Sequence, residues 1–142
     1  MNPVTLFVDD QEDFLSALSF TLPPEKGPYL FMTDPLESLK CLQEKNNNIG
    51  VIFMDYMMPV MTGLEVFEQI PSLHAERILL TGKDEEIAIQ ALNRGLIHRY
   101  MSKRDPQVIQ NMLESIEIGQ KNYFERCQSM LKSKDAKSVP RN

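Results

Sequence analysis

Five short apolar runs alternate along the chain with segments in which apolar residues recur every three or four positions. The runs span residues 4–8, 29–32, 50–54, 77–80 and 97–101. Continuous apolar runs of this length are typical of strands that are buried on both faces of a parallel sheet. The intervening segments have the periodicity of amphipathic helices. The pattern therefore predicts five strands that alternate with five helices.

Capping and breaking residues mark the ends of the predicted helices. Pro23-Pro24 ends the first helix, Asp34-Pro35 opens the second, and Gly95 follows the fourth as its C′ residue. The second and the fourth helix are each predicted to bury one face. These faces comprise Leu36, Leu39 and Leu42 in the second helix, and Ile87, Ala91 and Leu92 in the fourth.

This alternation predicts an α/β fold with a doubly wound five-stranded parallel sheet, because right-handed crossovers place helices on both faces. The last helix opens at Asp105-Pro106 and is longer than one sheet requires. We expect a single domain over residues 1–120, an extension of the last helix over 121–132, and a polar tail or linker over 133–142.

The composition of the 142 residues narrows the possible functions. The formal net charge of −5 argues against direct nucleic-acid binding, which needs a basic face. No apolar run reaches the ~20 residues of a membrane span, so we expect no membrane association. Cys41 and Cys127 lack the spacing of a metal site or a disulfide framework, which favours a reducing, cytoplasmic location.

The residues that follow four of the apolar runs are polar. Asp9 and Asp10 come after the first run, Asp55 after the third, Thr81 after the fourth, and Lys103 just beyond the fifth. In an open α/β sheet the ligand site lies beyond the carboxyl ends of the strands, so these side chains should meet at one edge. The pattern predicts a site with three carboxylates, one hydroxyl and one ammonium group.

This set of groups suits metal-assisted phosphoryl chemistry. Three close carboxylates repel one another unless a cation is present, and hard oxygen ligands favour Mg²⁺. Thr81 and Lys103 can each bind a phosphoryl oxygen, and the backbone N–H groups of Met57 and Gly82 are further candidate donors. One carboxylate is then left to act as the nucleophile and to form an acyl phosphate.

Four segments of the chain resemble the receiver domain of two-component response regulators. They are Phe7-Val8-Asp9-Asp10, Asp55-Tyr56-Met57-Met58-Pro59-Val60-Met61-Thr62-Gly63, Leu79-Leu80-Thr81-Gly82 and Tyr100-Met101-Ser102-Lys103. The resemblance covers about residues 3–120. It implies a flavodoxin-like fold with the strand order 2-1-3-4-5. It also implies a signalling domain that performs chemistry on itself, and not a turnover enzyme.

The resemblance assigns an expected role to each matching residue of the site. Asp55 would be the phosphoacceptor. Asp9 and Asp10 would bind Mg²⁺ or Mn²⁺, together with Asp55 and the main-chain carbonyl of Met57. Lys103 would pair with the phosphoryl group.

A switch and two kinds of partner are implied in the same way. Thr81 would move toward the phosphoryl group, and Tyr100 would rotate into the space that Thr81 leaves. The face formed by helix 4, strand 5 and helix 5 would change as a result. The phosphoryl donor would be a histidine kinase or a phosphotransfer protein. A homodimer would form through that face or through the extended last helix.

Three features depart from the usual pattern of the family. Arg104 follows Lys103 where many receivers have proline, and a cis bond there would cost about 3 kcal/mol, which disfavours it. Leu96 stands where alanine is usual. Met57 and Lys83 flank the path of the attacking water without a carboxamide to orient it, so we expect slow self-dephosphorylation.

The last helix carries an apolar seam with heptad-like spacing. Its members are Ile109, Leu113, Ile116, Gln120, Tyr123, Cys127 and Met130. Two interpretations fit this seam. It forms a short coiled coil that dimerises or relays a signal, or it is the inner face of an amphipathic helix that folds back on its own domain.

Two other functions fit a similar sheet. A small phosphatase or phosphotransferase would also use an aspartate nucleophile, but such enzymes favour a second acid at the position that Met57 occupies. A receiver-like module would bind partners without any phosphate chemistry. The complete set of site residues argues against this second alternative.

Overall fold

The computed structural model describes residues 2–45, 47–71 and 73–138, and it describes side chains as far as residue 131. The strands are β1 (Val4–Val8), β2 (Tyr29–Met32), β3 (Ile49–Asp55), β4 (Glu76–Thr81) and β5 (Arg99–Ser102). The helices are α1 (Glu12–Thr21), α2 (Pro35–Gln43), α3 (Gly63–Glu68), α4 (Glu85–Asn93) and α5 (Val108–Ser138). A 3₁₀ turn, Pro24–Lys26, follows α1.

The five strands form one parallel sheet with the order β2-β1-β3-β4-β5, which confirms the predicted doubly wound fold. Strand β3 is buried along its whole length, as its unbroken apolar run predicts. Helices α2, α3 and α4 cover one face of the sheet, and α1 and α5 cover the other. On the α1 and α5 side, the rings of Phe7 and Phe53 stack with their centroids 4.7 Å apart.

The predicted inner face of α2 is wrong at one position. Leu36 is 50% exposed, and the buried positions are Pro35, Ser38 and Leu42. Ser38 can be buried because its hydroxyl donates to the Pro35 carbonyl at 2.7 Å. The start of the helix is as predicted, since the Asp34 side chain accepts a hydrogen bond from the Leu36 N–H group at 2.9 Å.

The inner face of α4 also differs from the prediction. Leu92 is 38% exposed, while Ala88 and Ala91 are buried against the sheet. The helix therefore packs on the sheet through two small side chains, and its larger residue Ile87 is only half-buried. Gly95 follows the helix with φ at +73°, as the predicted C′ glycine requires.

Strand β5 begins at Arg99, two residues later than the apolar run predicts. Arg77 of β4 explains the delay, because its guanidinium group donates to the Leu96 carbonyl at 2.8 Å. Its backbone N–H group donates to His98 Nδ1, also at 2.8 Å. These side-chain contacts hold the segment before β5 as a loop, and Ile97 is buried there without belonging to the strand.

Helix α5 packs on the sheet with the seam that the heptad-like spacing marks. Ile116 is fully buried, and Ile109, Leu113 and Tyr123 are half-buried, so the seam faces the helix's own domain as far as Tyr123, whereas Met130 at its end is 44% exposed. The helix continues to Ser138, inside the segment predicted to be a polar tail, and residues 139–142 lie outside the described part. Neither α5 nor another helix in the described ranges is long and apolar enough to cross a bilayer.

The loop between β3 and α3 contains a strained residue. Val60 has φ at +75°, a left-handed conformation that a β-branched side chain rarely adopts. It is the central residue of a tight turn in which the Met61 N–H group donates to the Pro59 carbonyl at 2.8 Å. The Val60 side chain is 85% exposed, so packing does little to offset this strain.

Replacing Val60 by asparagine should stabilise the protein, because asparagine tolerates the left-handed region better than a β-branched residue does. We expect the free energy of unfolding to rise by about 1 kcal/mol in urea denaturation. Val60→Ile is the matched control, since it keeps the branched Cβ and should gain nothing. Equal stabilities for the two variants would contradict the proposed strain.

Candidate functional site

Three carboxylates meet at the carboxyl edge of the sheet, as predicted. Asp9 follows β1 directly, Asp10 is next in the chain, and Asp55 is the last residue of β3. Strands β1 and β3 are neighbours with Val8 paired to Met54, so the register brings the acids side by side. One carboxylate oxygen from each acid lies within 4.8 Å of the others. Asp9 is fully buried, Asp55 is 7% exposed, and Asp10 is exposed.

Lys103 brings a positive charge to this acidic cluster. Its Nζ lies 2.6 Å from Asp9 Oδ2 and 3.7 Å from Asp55 Oδ1. The lysine comes just after β5, at the far side of the sheet from β1, and its N–H group donates to the Thr81 carbonyl at 3.1 Å. The peptide bond to Arg104 is trans, and a cis bond occurs in the described residues only at Gly27–Pro28.

The environment of Asp55 opposes its ionisation. Burial raises the pKa of the carboxyl group from 3.8 to about 7, and the nearby Asp9 charge adds to the rise more than Lys103 reduces it. At neutral pH, therefore, the Asp55 carboxyl group is only partly ionised.

Local backbone contacts fix the two buried acids. Asp9 Oδ1 accepts a hydrogen bond from the Gln11 N–H group at 2.9 Å, so Asp9 shapes the turn before α1, and Gln11 is the N-cap. A Cβ at Gly63 would collide with the Asp55 carbonyl oxygen, so the first turn of α3 can pass behind Asp55 only with glycine there. The Tyr56 N–H group donates to the Leu80 carbonyl at 3.0 Å, which extends the β3–β4 pairing past Asp55.

Thr81 and Tyr100 lie beside the cluster on neighbouring strands. Thr81 is 3% exposed, and its hydroxyl donates to the Met101 carbonyl at 3.3 Å. The Tyr100 hydroxyl donates to Glu85 Oε1 of α4 at 3.2 Å, and this hydrogen bond raises the pKa of Tyr100. Both residues line a cavity of about 450 Å³ that also touches Gly82 and α5.

The remaining predicted site residue, Met57, lies in the loop that follows β3. Its side chain is 62% exposed, so it points into solvent and is available to flank an incoming group. Gly82, directly after Thr81, is exposed as well. Their main-chain groups thus belong to the two loops that border the acidic cluster.

Two residues of the site were missed by the sequence analysis. Gln11 Oε1 accepts a hydrogen bond from Lys103 Nζ at 3.2 Å, and the ammonium group lies 4.6 Å above the Phe14 ring. The position of Gln11, directly after the acid pair, is the signal that could have pointed to it. Phe14 gave no comparable signal, because its spacing equals that of an ordinary core residue in α1.

The donor set fits a hard divalent cation. Three carboxylates face a single ammonium group, and the pKa of Asp55 is raised first by burial and then by the charge of Asp9. Carboxylate oxygens are the ligands that Mg²⁺ prefers in proteins. Asp9, Asp10 and Asp55 are therefore the residues that could hold such an ion.

The chain matches the family model of the response regulator receiver domain over residues 5–114. It is 34% identical over 86 residues to a protein of Arabidopsis thaliana named as two-component response regulator ARR21. It is 32% identical over 88 residues to the alkaline phosphatase synthesis transcriptional regulatory protein PhoP of Bacillus subtilis (strain 168). These matches cover 57% and 61% of this chain, but only 14% and 36% of the respective relatives.

The fold is similar to that of a solved structure, the Legionella pneumophila response regulator LqsR. The TM-score is 0.84 and the sequence identity 37%, and the match covers 92% of this chain and 48% of that one. The chain thus corresponds to one part of larger relatives.

The raised pKa of Asp55 predicts a pH-dependent cost to stability in metal-free buffer. Between pH 3.8 and about 7 the folded protein keeps a proton on Asp55 that the unfolded chain has lost, so stability falls as the pH rises through this window. Asp55→Asn removes the ionisable group. With a chelator present, the free energy of unfolding of Asp55→Asn should be higher than that of the wild type above pH 7. The difference should be at most about 4 kcal/mol.

The difference in unfolding free energy between Asp55→Asn and the wild type should disappear below pH 4. It should also become smaller when Mg²⁺ is added at pH 8. Asp13→Asn, at an exposed position in the first turn of α1, is the matched control and should not gain stability at high pH. A gap between wild type and Asp55→Asn that does not vary with pH would refute this explanation.

Proposed function

The chain belongs to the family of response regulator receiver domains, and we propose that it accepts a phosphoryl group on Asp55 from a histidine kinase or a phosphotransfer protein. The observation that carries this proposal is the position of Asp55 at the acidic edge of the sheet, beside Asp9 and Asp10 and 3.7 Å from Lys103 Nζ. The Asp55 carboxylate is a nucleophile with the Lys103 ammonium group 3.7 Å away. Although the residue is only 7% exposed, it ends β3 directly before the loop that carries the exposed Met57.

The proposed reaction is a transfer between two nucleophiles. An Asp55 oxygen attacks phosphorus, the bond from phosphorus to the donor's imidazole nitrogen breaks, and that nitrogen keeps the electron pair and takes up a proton. The product is an acyl phosphate on Asp55. Lys103 Nζ, now shared between Asp9 and Asp55, pairs with one phosphoryl oxygen, so it is already close to the charge that arrives.

A divalent cation, Mg²⁺ or Mn²⁺, would be held by Asp9, Asp10, Asp55 and the Met57 carbonyl, and it would supply positive charge to the phosphoryl oxygens. The protein's own part is to hold the three carboxylates together at the edge of the sheet. The main-chain N–H groups of Met57 and Gly82, in the bordering loops, are the proposed additional donors to the phosphoryl group.

The proposed switch starts from the hydrogen bonds seen at Thr81 and Tyr100. The Thr81 hydroxyl, bound to the Met101 carbonyl, would turn to the new phosphoryl oxygen. Tyr100 would then leave Glu85 and enter the adjoining cavity of about 450 Å³. This exchange would remodel the surface shared by α4, β5 and α5.

We also propose that the phosphorylated form associates through this surface and acts in the cytoplasm. Because β5 is an edge strand, α4, β5 and α5 lie along one side of the molecule. Three apolar side chains are exposed on these helices, namely Ile89 (41%), Leu92 (38%) and Ile118 (43%). The free thiols of Cys41 and Cys127 are compatible with a reducing compartment.

Phosphoramidate, which has the same P–N bond as phosphohistidine, should form one phosphoryl adduct on the protein in Mg²⁺, as measured by intact mass. Asp55→Asn and chelator-treated wild type should form none. Lys103→Met should react about a hundredfold more slowly, since it removes the cation beside the phosphoryl oxygens. Lys83→Met, at an exposed lysine nearby, is the matched control.

Other results would favour the alternatives. Continuous release of phosphate from many small phosphate esters per chain would point to a phosphatase. Absence of an adduct from phosphoramidate and from a phosphorylated donor protein would point to a module that works without phosphate. An equal adduct on Asp55→Asn would show that another residue is the acceptor.

The phosphorylated state should be long-lived, because Met57 and Lys83 offer no carboxamide to orient the attacking water. We expect label to persist for much longer than seconds after removal of the donor. Met57→Asn places a carboxamide in the loop next to Asp55 and should shorten this lifetime several-fold, whereas Met57→Leu should not. Loss of label within seconds in the wild type would contradict the prediction.

Phosphorylation should shift the protein from monomer toward dimer in sedimentation velocity. Ile89→Asp places a charge in the exposed apolar surface of α4 and should abolish this shift. Phe20→Asp, at an 88% exposed position of α1 on the opposite face of the sheet, should leave it unchanged. Equal inhibition by both substitutions would locate the contact elsewhere.

A further inference from the structure

A second buried ionic network lies at the opposite edge of the sheet from Asp55. Glu76, the first residue of β4, is 2% exposed and contacts two arginines. Its Oε1 lies 3.1 Å from Arg99 Nη2, and its Oε2 lies 3.0 Å from Arg126 Nη2. Asn122 donates to Oε2 as well, at 3.4 Å. One carboxylate thus joins β4, β5 and the second half of α5.

The shape of α5 fits this contact. A Cβ at Gly119 would come within 2.8 Å of Val51 Cγ2 and 3.1 Å of Glu76 Cβ, so the helix approaches the sheet too closely for a larger residue. Gly119, Asn122 and Arg126 share one helix face, because they are spaced three and four residues apart. The second half of α5 is therefore docked by specific contacts on the strands below it.

Arg126 makes a further contact that fixes the position of the helix. Its Nη1 donates to the His74 carbonyl at 3.0 Å, in the segment that precedes β4. Arg99, on the other side of Glu76, has a buried Nε without a hydrogen-bond partner among the described residues. Within the described part of the chain, the contact with Glu76 is the short contact that the Arg99 guanidinium group makes with a carboxylate.

Arg99 is adjacent to Tyr100 in β5, which connects this network to the proposed switch. If the proposed exchange at Thr81 and Tyr100 displaces β5, Arg99 moves with the strand, and Glu76 must keep both arginines or lose one. Removal of a cation from a buried carboxylate is costly, so the arginines are expected to move together. Glu76 would then transmit the displacement of β5 to Arg126, far along α5.

We infer that the second half of α5 is an output arm of the receiver, and that Glu76 clamps this arm to β5, the strand that carries Tyr100. The clamp is a property of the unmodified protein. Its role as a relay rests on the proposed phosphorylation of Asp55.

Hydrogen exchange measured by mass spectrometry tests both parts on the full chain. In unmodified protein, Arg126→Met should make peptides from residues 119–131 exchange at least about tenfold faster, because local opening no longer breaks a buried ion pair. Glu76→Gln, which keeps a hydrogen-bonding group, should act in the same direction and serves if Arg126→Met fails to fold. Lys121→Met, at an exposed position on the same helix, should leave exchange unchanged.

In the second part, phosphoramidate and Mg²⁺ are added and the adduct is measured by intact mass. The exchange of residues 119–131 should change in the wild type and in Lys121→Met, but not in Arg126→Met. An adduct without any change in these peptides would overturn the relay. Normal protection in both clamp variants would overturn the clamp. Absence of an adduct would refute the proposed function and the relay, while the clamp is decided by the unmodified protein alone.

Discussion

The contact between the Lys103 ammonium group and the buried acids is the interaction on which the functional edge of the sheet depends. Asp9 is completely buried, and Lys103 Nζ lies 2.6 Å from its Oδ2, so the buried acid has a cationic partner. The same ammonium group reaches Asp55 at 3.7 Å, so one cation serves two carboxylates. Because one ammonium group does not balance the charge of the acids, the site can bind an additional cation and, with it, a phosphoryl group.

The parallel sheet is what makes such a cluster possible. Like charges would separate if they were attached to flexible segments, but Asp9 and Asp55 end strands whose faces are both covered by helices. The stacked rings of Phe7 and Phe53 belong to the same two strands. Because the core resists distortion, Asp55 stays buried beside Asp9, and its burial together with the charge of Asp9 raises its pKa.

Much of this architecture could be predicted from the sequence, because an apolar run and the polar residue that ends it are local features. The strands β1 and β2 have the predicted bounds, and the predicted acids do meet at one edge. The errors depend on long-range contacts. Leu92 is exposed because two alanines already fill the space between α4 and the sheet, and β5 starts late because Arg77 binds the preceding loop. Gln11 was missed because its partner, Lys103, is 92 positions away along the chain.

The two ionic networks at opposite edges of the sheet differ in their balance of charge. This difference distinguishes the proposed phosphorylation site from the network that joins α5 to the sheet. At the carboxyl edge, three carboxylates share one ammonium group, so the cluster can bind a further cation. At the opposite edge, Glu76 alone is bound by Arg99 and Arg126, and burial, which would raise its pKa, is outweighed by nearby positive groups that lower it. A carboxylate whose charge is balanced by two arginines does not attract a further cation, but it binds these two partners tightly. The first network therefore suits chemistry with a cation and a phosphoryl group, and the second couples α5 to the strands β4 and β5.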